Sequence, residues 1–312
     1  MTEQPHWGFI INPIAGDGFA GQYTDVVKQQ IASRKLDATI RFTERREHAR
    51  ELSAALAREG CTHIVAVGGD GTINEAASGI LNLDHIVFGA VSAGTGNDFI
   101  QILGFPERFT DSEWDILFEQ NTILMDVGLC NEQVFLNGMG LGFDAKVASE
   151  NYSIDETVER VGGSNYLWHI LKNLFFYREA AYTFRRGDIT ETSRIFMHTV
   201  AIGRRFAGGY YLTPRAIADD GLFDVCAVEP LSLVRRLKLF LQVPKGKHIS
   251  DKKVRYYQAD SLSITCHQTV PFHLDGELFF AQQFEMSILP KKLRMIFNPY
   301  AAHYFASSSG KG

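Results

Sequence analysis

No apolar run in this sequence approaches the roughly 18 residues that a bilayer-spanning helix requires. The opening stretch, Met1 to Trp7, is polar and lacks the apolar segment of a signal peptide. Proline is scarce, nine in 312 residues, which excludes long extended linkers. The four cysteines, Cys61, Cys130, Cys226 and Cys266, form no Cys-x-x-Cys pair, which argues against zinc and for dispersed buried thiols in a reducing compartment. The histidines show no HExxH spacing, and none is assigned a role. Gly-x-x-x-x-Gly-Lys-Ser/Thr does not occur, and the turn Gly68-Gly69-Asp70-Gly71-Thr72 is not Gly-x-Gly-x-x-Gly either. The expectation is a cytoplasmic chain that visits a membrane rather than spanning it, and that holds any nucleotide by other means.

Hydrophobic residues make up 45% and charged residues 21%, an ordinary globular mix. The formal charge of −5 excludes a general nucleic-acid binder. The charge is uneven, however. Leu231 to Arg255 holds eight Lys/Arg and one Asp, a local net of +7, which leaves −12 on the rest of the chain. A basic segment on an acidic body points to an anionic partner, and a membrane surface is one.

The first third alternates strand and helix patterns. Trp7–Ile11 is an apolar run stopped by Asn12-Pro13, Thr24–Arg34 reads as a helix, Ala38–Phe42 as a strand, and His48–Glu59 as a helix ended by Gly60. Ile64–Val67 is β-branched, a helix follows Gly71, and Ile86–Val91 leads through another glycine turn to Asp98–Leu103. This alternation predicts βαβ units and a parallel sheet. After about Asp126 strand-like runs follow one another, at Val134–Asn137, Ala181–Arg185, Arg194–Ile202, Phe223–Val228, Ser261–Cys266, Phe272–Leu274 and Phe284–Leu289. They predict an antiparallel, β-rich second domain, a sandwich or a barrel.

Tyr166–Tyr177 and Leu231–Gln242 interrupt that domain as helices. In the second, Leu233, Val234, Leu237 and Leu241 share helical spacing, and Arg235, Arg236 and Lys238 fall mostly elsewhere. Such a helix either lies on anionic lipid or packs on the core with a solvated basic face. Tyr166, Trp168, Phe175, Phe176 and Tyr177 fit core packing or an acyl-chain pocket. The short Ser307–Gly312 tail is of low complexity.

Four special sequences follow predicted strands: Asn12-Pro13-Ile14-Ala15-Gly16, Thr43, Gly68 to Glu75, and Gly94-Thr95-Gly96-Asn97-Asp98. In an open parallel sheet, ligands bind beyond the carboxyl ends of the strands, so all four should converge. In Gly68-Gly69-Asp70-Gly71-Thr72 the glycines let backbone N–H groups approach a phosphate, and the following helix adds its positive end. Asp70 suits a magnesium ion lying between it and phosphates, or an N-cap in a tight turn. Asp275-Gly276-Glu277 sets two carboxylates at i and i+2, on one face of an extended backbone. A carboxylate there can take the proton of a reacting hydroxyl, and the same residues also make a solvated hairpin turn.

Gly68-Gly69-Asp70-Gly71-Thr72-Ile73-Asn74-Glu75 resembles the hallmark of the diacylglycerol kinase catalytic domain, shared by diacylglycerol, sphingosine and YegS-like lipid kinases of compact bacterial type. Gly94-Thr95-Gly96-Asn97-Asp98-Phe99 is similar to that family's second signature, and Asn12-Pro13 to its opening motif. Gly208-Gly209, Pro214, Asp219-Asp220-Gly221, Asp224-Val225 and Asp275-Gly276-Glu277 resemble its later motifs, in family order over nearly the whole chain.

The resemblance implies an α/β plus β-rich fold. An N-terminal parallel-sheet nucleotide-binding domain, 1–127 with 291–312 returning to it, would precede a C-terminal antiparallel β-sandwich, 128–290. ATP would lie in the cleft between the domains, held by Asn12, Pro13, Ile14, Ala15, Gly16, Thr43, Gly69, Asp70, Gly71, Thr72, Ile73, Asn74, Glu75 and Thr95. A structural Mg²⁺ would take the Asp220 side chain and the carbonyls of Ile217 and Leu222. Glu277 would accept the proton, with Asp275 near the metal–phosphate or sharing that role, and Asp70 would belong to the catalytic set. The implied activity is phosphorylation of diacylglycerol to phosphatidate at the inner face of a membrane, with a homodimer left open.

Sphingoid bases, ceramide or phosphatidylglycerol are alternative acceptors that share every motif. NAD kinase also uses Gly-Gly-Asp-Gly-Thr, but Asn74-Glu75 and the Gly94–Phe99 signature favour the lipid branch. A non-catalytic lipid- or nucleotide-binding protein is the reading from another class. One departure stands out: relatives often carry a basic residue soon after the opening motif, whereas Asp17 and Gly18 follow here, with no Lys or Arg until Lys28. Lys146 and Arg204 are candidate substitutes.

Overall fold

Short β-branched runs separated by amphipathic stretches become parallel strands and covering helices in the computed structural model, which describes residues 4–150, 152–153, 159–160 and 166–306. The chain forms two compact units. The first is Met1–Val127 with Ala218–Asp220 and Pro290–Gly312; the second is Gly128–Ile217 with Gly221–Leu289.

In the first unit, β1 (His6–Ile11), α1 (Phe19–Arg34), β2 (Asp37–Phe42), α2 (His48–Arg58), β3 (His63–Gly68), α3 (Asp70–Ile80) and β4 (Val87–Ser92) alternate. All pairings among these strands are parallel, in the order β2-β1-β3-β4. β1, β3 and β4 are buried along almost their whole length, as a parallel sheet covered on both faces requires. That is why they read as continuous apolar runs and not as alternating ones. A helix α4 (Asp111–Phe118) follows; the sequence reading missed it, although Thr110 and Glu113 form a capping box at its start.

The second unit is antiparallel. It contains part of β5 (Thr122–Cys130), then β6 (Gln133–Phe135), β7 (Gly138–Gly142), α5 (Phe143–Ser149), β8 (Tyr152–Ser153), β9 (Glu159–Arg160) and α6 (Tyr166–Phe176). β10 (Ala180–Arg186), β11 (Ile189–Ile195), β12 (Met197–Ala201), β13 (Phe223–Val228), α7 (Leu233–Gln242), β14 (Val254–Ala259), β15 (Ser261–Leu274) and β16 (Glu277–Ile296) complete it. The order is β14-β13-β12-β7-β15-β16, with β10 joining β11 to β15. Two runs expected as separate strands, Ser261–Cys266 and Phe272–Leu274, are one strand with an irregularity between Thr265 and Val270. β16 likewise runs on past the expected Phe284–Leu289 strand, to Ile296. From Pro290 onward it belongs to the first unit, where Met295 pairs in parallel with Phe88 of β4.

Helices α5, α6 and α7 cover β12 and β13 through a cluster that includes Phe143, Leu174, Phe196, Val228 and Leu239. Phe143 stacks on Phe196 with ring centroids 4.7 Å apart. The side chains of Tyr166 and Trp168, named above for an acyl pocket, lie outside the described residues, as does the Ser307–Gly312 tail. All four cysteines are free and buried, and burial pushes the Cys130 and Cys226 thiols up to about 12, so they remain protonated.

His198 on β12 is fully buried and stacks on Phe184 at 5.0 Å, and neither ring nitrogen has a hydrogen-bond partner among the described residues. Burial, reinforced by the charge of Arg255, pulls its pKa down to about 3. Above the ordinary histidine value of 6.5 both folded and unfolded chains carry a neutral ring, and pH has no effect through this group. Below it the unfolded chain takes up a proton that the folded chain refuses. Stability therefore falls by about 1.4 kcal/mol per pH unit from this residue on the way down. Urea titrations at neutral and mildly acidic pH should show that loss in the wild type and a shallower one in His198→Phe. Equal slopes in the two proteins would refute it.

Candidate active site

In the first unit the strand order reverses between β1 and β3. The loops after β1, β2, β3 and β4 all leave from the carboxyl ends of their strands, the side on which open α/β sheets bind ligands. The loops make direct contact. Gly69 and Gly94 meet backbone to backbone: a Cβ on Gly94 would lie 2.4 Å from the Cα of Gly69 and 3.1 Å from its nitrogen. Gly16, at φ +60°, abuts the carbonyl of Ala93, which a Cβ there would approach to 2.4 Å. Asn12 Nδ2 donates to Thr72 Oγ1 at 2.9 Å, and Asn12 N to the carbonyl of Val67 at 3.0 Å. Both glycine turns and the opening loop thus form one surface.

Asp70 ties the two turns together. Its carboxylate accepts N–H bonds from Asp98 at 2.9 Å and Phe99 at 3.4 Å. The N-cap of α3 is Gly69, so the capping role considered for Asp70 is not the one it takes. Asn97 closes its own turn, accepting from Gly94 N at 3.0 Å and donating to Gly94 O at 2.7 Å. Thr95 and Gly96 remain exposed at the tip, whereas Ile73 is fully buried and offers a ligand only main chain. Ile14 is 80% exposed, Pro13 and Ala15 are half-buried, and Thr43 is buried with its N–H on Ile11 O at 2.9 Å. Gly71 and Asn74 are half-buried in the first turns of α3, and Asn74 Oδ1 accepts from Ser78.

Glu75 points to α2: its carboxylate accepts from Glu47 N at 2.9 Å and Ala49 N at 3.3 Å, capping that helix. A basic group that sequence reasoning missed also stands here. The guanidinium of Arg108 lies 4.0 Å over the ring of Phe19, the first residue of α1, directly after Gly18. No local pattern connects residue 108 with residue 19. The candidate substitutes belong to the second unit, where Arg204 donates to Ala216 O at 2.7 Å and Lys146 sits 3.9 Å from Glu150.

In the second unit Asp275 adopts φ +49°, and its carboxylate accepts three backbone N–H bonds, from Leu136 at 2.7 Å and from Asn137 and Gly138 at 2.9 Å each. Its own N–H donates to Gly138 O at 2.9 Å. The turn carrying Gly276 and Glu277 is thereby fixed against the start of β7, with Glu277 half-exposed. Two residues upstream, buried His273 faces Asp144 of α5 at 3.4 Å over Gly140, where any Cβ would strike both side chains.

In the Asp219-Asp220 pair the two carboxylates part ways. Asp219 is buried and accepts from Ala306 N at 2.7 Å, whereas Asp220 is exposed. Among the described residues no group of three or more His, Cys, Asp and Glu side chains is arranged to hold a metal. A site made of Asp220 and the main-chain oxygens of Ile217 and Leu222 has one carboxylate, and its all-oxygen donor set suits a hard cation such as Mg²⁺.

The Gly69–Gly94 contact generates a stability test. Gly94→Ala should lose about 1–3 kcal/mol, because the new methyl group meets backbone that cannot rotate away. Gly96→Ala, whose nearest neighbour would be Asp70 Oδ2 at 3.7 Å, should change stability by less than about 0.5 kcal/mol. Urea unfolding of the two variants decides; equal losses would show that the turns do not depend on this contact.

Comparison with known proteins agrees with this geometry. Residues 6–130 match the diacylglycerol kinase catalytic domain, and residues 137–297 match the YegS C-terminal NAD kinase beta sandwich-like domain. A protein of Chromohalobacter salexigens named "Probable lipid kinase YegS-like" is 28% identical over 250 residues, covering 78% of each chain. A Bacillus subtilis diacylglycerol kinase is 25% identical over 280 residues, covering 86% of this chain and 88% of its own. Among solved structures, a diacylglycerol kinase from Bacillus anthracis str. Sterne superposes with a TM-score of 0.73 over 97% of this chain and 100% of its own, at 19% identity, a likeness of fold. An N-terminal α/β unit with parallel strands, two joined glycine turns and a C-terminal antiparallel β-sandwich occur here together with both domain matches, and the chain belongs to the diacylglycerol kinase catalytic-domain family of YegS-like lipid kinases, phosphotransferases with an alcohol acceptor.

Proposed function

We propose that this protein transfers the γ-phosphate of ATP to the free hydroxyl of diacylglycerol, giving phosphatidate and ADP. The observation that supports it most directly is the union of the Gly69 and Gly94 turns, locked by Asp70, at the head of α3. The first N–H groups of a helix have no acceptor within it, and together with the helix dipole they favour an anion. Asn12 to Gly16, Thr43, Gly69 to Asn74 and Thr95 would hold the triphosphate and its nucleoside, largely through main chain. Arg108 would add positive charge where Asp17 and Gly18 supply none. Asp70 and Glu75 would serve by shaping the loops, since their carboxylates engage N–H groups of other segments.

In the second unit Glu277 would accept the hydroxyl proton as the oxygen attacks phosphorus and the bond to the β-phosphate oxygen breaks. Asp275 would act as a positioning residue. Three N–H groups already point at its carboxylate, which suits it to holding the turn and not to taking a proton. Mg²⁺ would be held by Asp220 with the Ile217 and Leu222 carbonyls as a structural ion. Magnesium accompanying the nucleotide supplies charge neutralisation on the phosphates.

The decisive experiment incubates the protein with Mg²⁺ and γ-labelled ATP against micelles of diacylglycerol, sphingosine, ceramide or phosphatidylglycerol. Label should enter diacylglycerol preferentially. Preferential transfer to another lipid alcohol would reassign the substrate, and transfer to none would overturn the proposal.

Variants separate the two acidic residues. Glu277→Gln should lower kcat by at least about 10²-fold with unchanged thermal stability. Asp275→Asn should lower activity and also destabilise the fold by about 1–3 kcal/mol, because buried N–H groups lose a charged acceptor. Full activity in Glu277→Gln would remove it as the base, and a fully stable Asp275→Asn would remove the positioning role.

A further inference from the structure

Helix α7, Leu233–Gln242, exposes the wrong face for a solvated helix. Arg236 and Leu239 are its buried residues, at 8% and 5% exposure, and Val243, directly after its end, is buried on the same side. Arg236 anchors it: the guanidinium donates to the carbonyl of Leu174 at 2.9 Å, to that of Tyr177 at 3.0 Å and to the Glu179 carboxylate at 2.7 Å. It also lies 4.9 Å over the ring of Phe196. A cation whose place by pattern would be in solvent is thus used to pin α7 to the end of α6. The solvent side is left apolar, with Leu233 40%, Val234 78%, Leu237 37% and Leu241 75% exposed.

At 3.6 residues per turn these four side chains occupy an arc of about 100°. Lys238 borders the arc and is exposed. Arg235, further round, pairs with Asp251 at 3.1 Å. Exposed Lys245, Lys247 and Lys252 follow along the chain.

A contiguous apolar stripe on water is the exception on soluble surfaces and marks a binding face. Charge selects the occupant. Of the eight cations in Leu231–Arg255, Arg235, Arg236, Lys253 and Arg255 form ion pairs with Asp251, Glu179, Glu229 and Glu191, and Lys238, Lys245, Lys247 and Lys252 are the exposed ones that face outward. A second copy docking through the same face would bring two such segments together and repel. An anionic bilayer offers the apolar boundary that the leucines need and the negative surface that the lysines need.

We propose that the outward face of α7 is the membrane-docking surface, with Val234 and Leu241 entering the boundary between headgroups and acyl chains of an anionic leaflet. The proposal deepens the lipid-kinase reading by saying where the membrane is met. Its vesicle-binding test needs no nucleotide, so the two can fail separately.

The full chain is sedimented with vesicles of phosphatidylcholine alone and of phosphatidylcholine mixed with phosphatidylglycerol. Binding should be confined to the anionic vesicles and should weaken with salt. The double variant Val234→Ser/Leu241→Ser should bind them at least tenfold more weakly, with an unchanged circular dichroism spectrum. Lys238→Glu alone should weaken binding and flatten its salt dependence. Turnover of a short-chain, monomeric diacylglycerol should be the same in the double variant and the wild type, whereas turnover of vesicle-borne lipid should drop. Wild-type affinity in the double variant would overturn the docking assignment, as would failure of the wild type to bind. A dimer of the wild type that the double variant abolishes, seen by light scattering, would give the face to a second copy instead. Vesicle binding with no transfer to any lipid would leave the docking surface standing and remove the kinase reading.

Discussion

The carboxylate of Asp70 accepts N–H bonds from Asp98 and Phe99 while the residue before it, Gly69, rests its backbone on Gly94. These two contacts depend on each other. Two strand ends can bring their turns this close only where neither turn carries a Cβ, and so close an approach would leave the N–H groups of residues 98 and 99 without acceptors if Asp70 did not reach across. Hydrogen bonds to a charged acceptor contribute about 1.5–3 kcal/mol each. Removing the acceptor costs more than removing the pair, because the orphaned donors stay in place. The order β2-β1-β3-β4 supplies the stage: it brings the ends of β3 and β4 side by side and leaves the end of β1 next to β3, where Asn12 reaches Thr72. The rest of the first unit's candidate surface follows from this joint.

In the second unit an acidic residue is again occupied with backbone. Asp275 gathers the N–H groups of Leu136, Asn137 and Gly138, and its φ of +49° shows the turn being held in a conformation that few side chains accept. The carboxylate that looks, by letter, like half of a catalytic pair is the one that fixes the loop. Asp219 is likewise turned inward onto Ala306, whereas Asp220 faces solvent. In each motif one carboxylate accepts backbone N–H bonds from another segment and so serves the fold. Adjacent acidic residues are therefore poor evidence for a shared function until the backbone donors around them are counted.

Much of this was legible in the letters. The parallel strands were, because a strand buried on both faces is a continuous apolar run and Gly or Asn-Pro follows where it ends; β1 and β3 needed nothing more. The glycine turns were legible as a pair, since one Gly-Gly is common and two after successive strands are not. Three features were hidden. β7 reads Gly-Met-Gly-Leu-Gly, a poor strand by propensity, and it exists because β12 and β15 pair with it on both sides. Glu75 sits inside the most informative motif yet caps α2, a partnership of 26 and 28 residues' separation that no local rule anticipates. The faces of α7 were read from periodicity, which locates an apolar stripe but cannot say which side is inside. Arg236 decided that by finding three acceptors at the end of α6.

The opening loop shows how far such tertiary compensation extends. Asp17 and Gly18 follow the opening motif where a basic residue is expected, and this loop has three consecutive positive φ angles at Gly16, Asp17 and Gly18, a conformation that disfavours side chains. Arg108 approaches from a distant segment and lies over Phe19, the ring that begins α1. A guanidinium stacked on an aromatic face keeps its charge and its in-plane donors while losing little entropy, because the ring fixes its plane. Charge at a phosphate site is a matter of position and not of sequence neighbourhood, so a missing lysine in a motif weakens the case for phosphate binding only if no other cation reaches the same place. Arg108 reaches the head of α1 through a contact that exists only because residues 99–110 wrap back toward it.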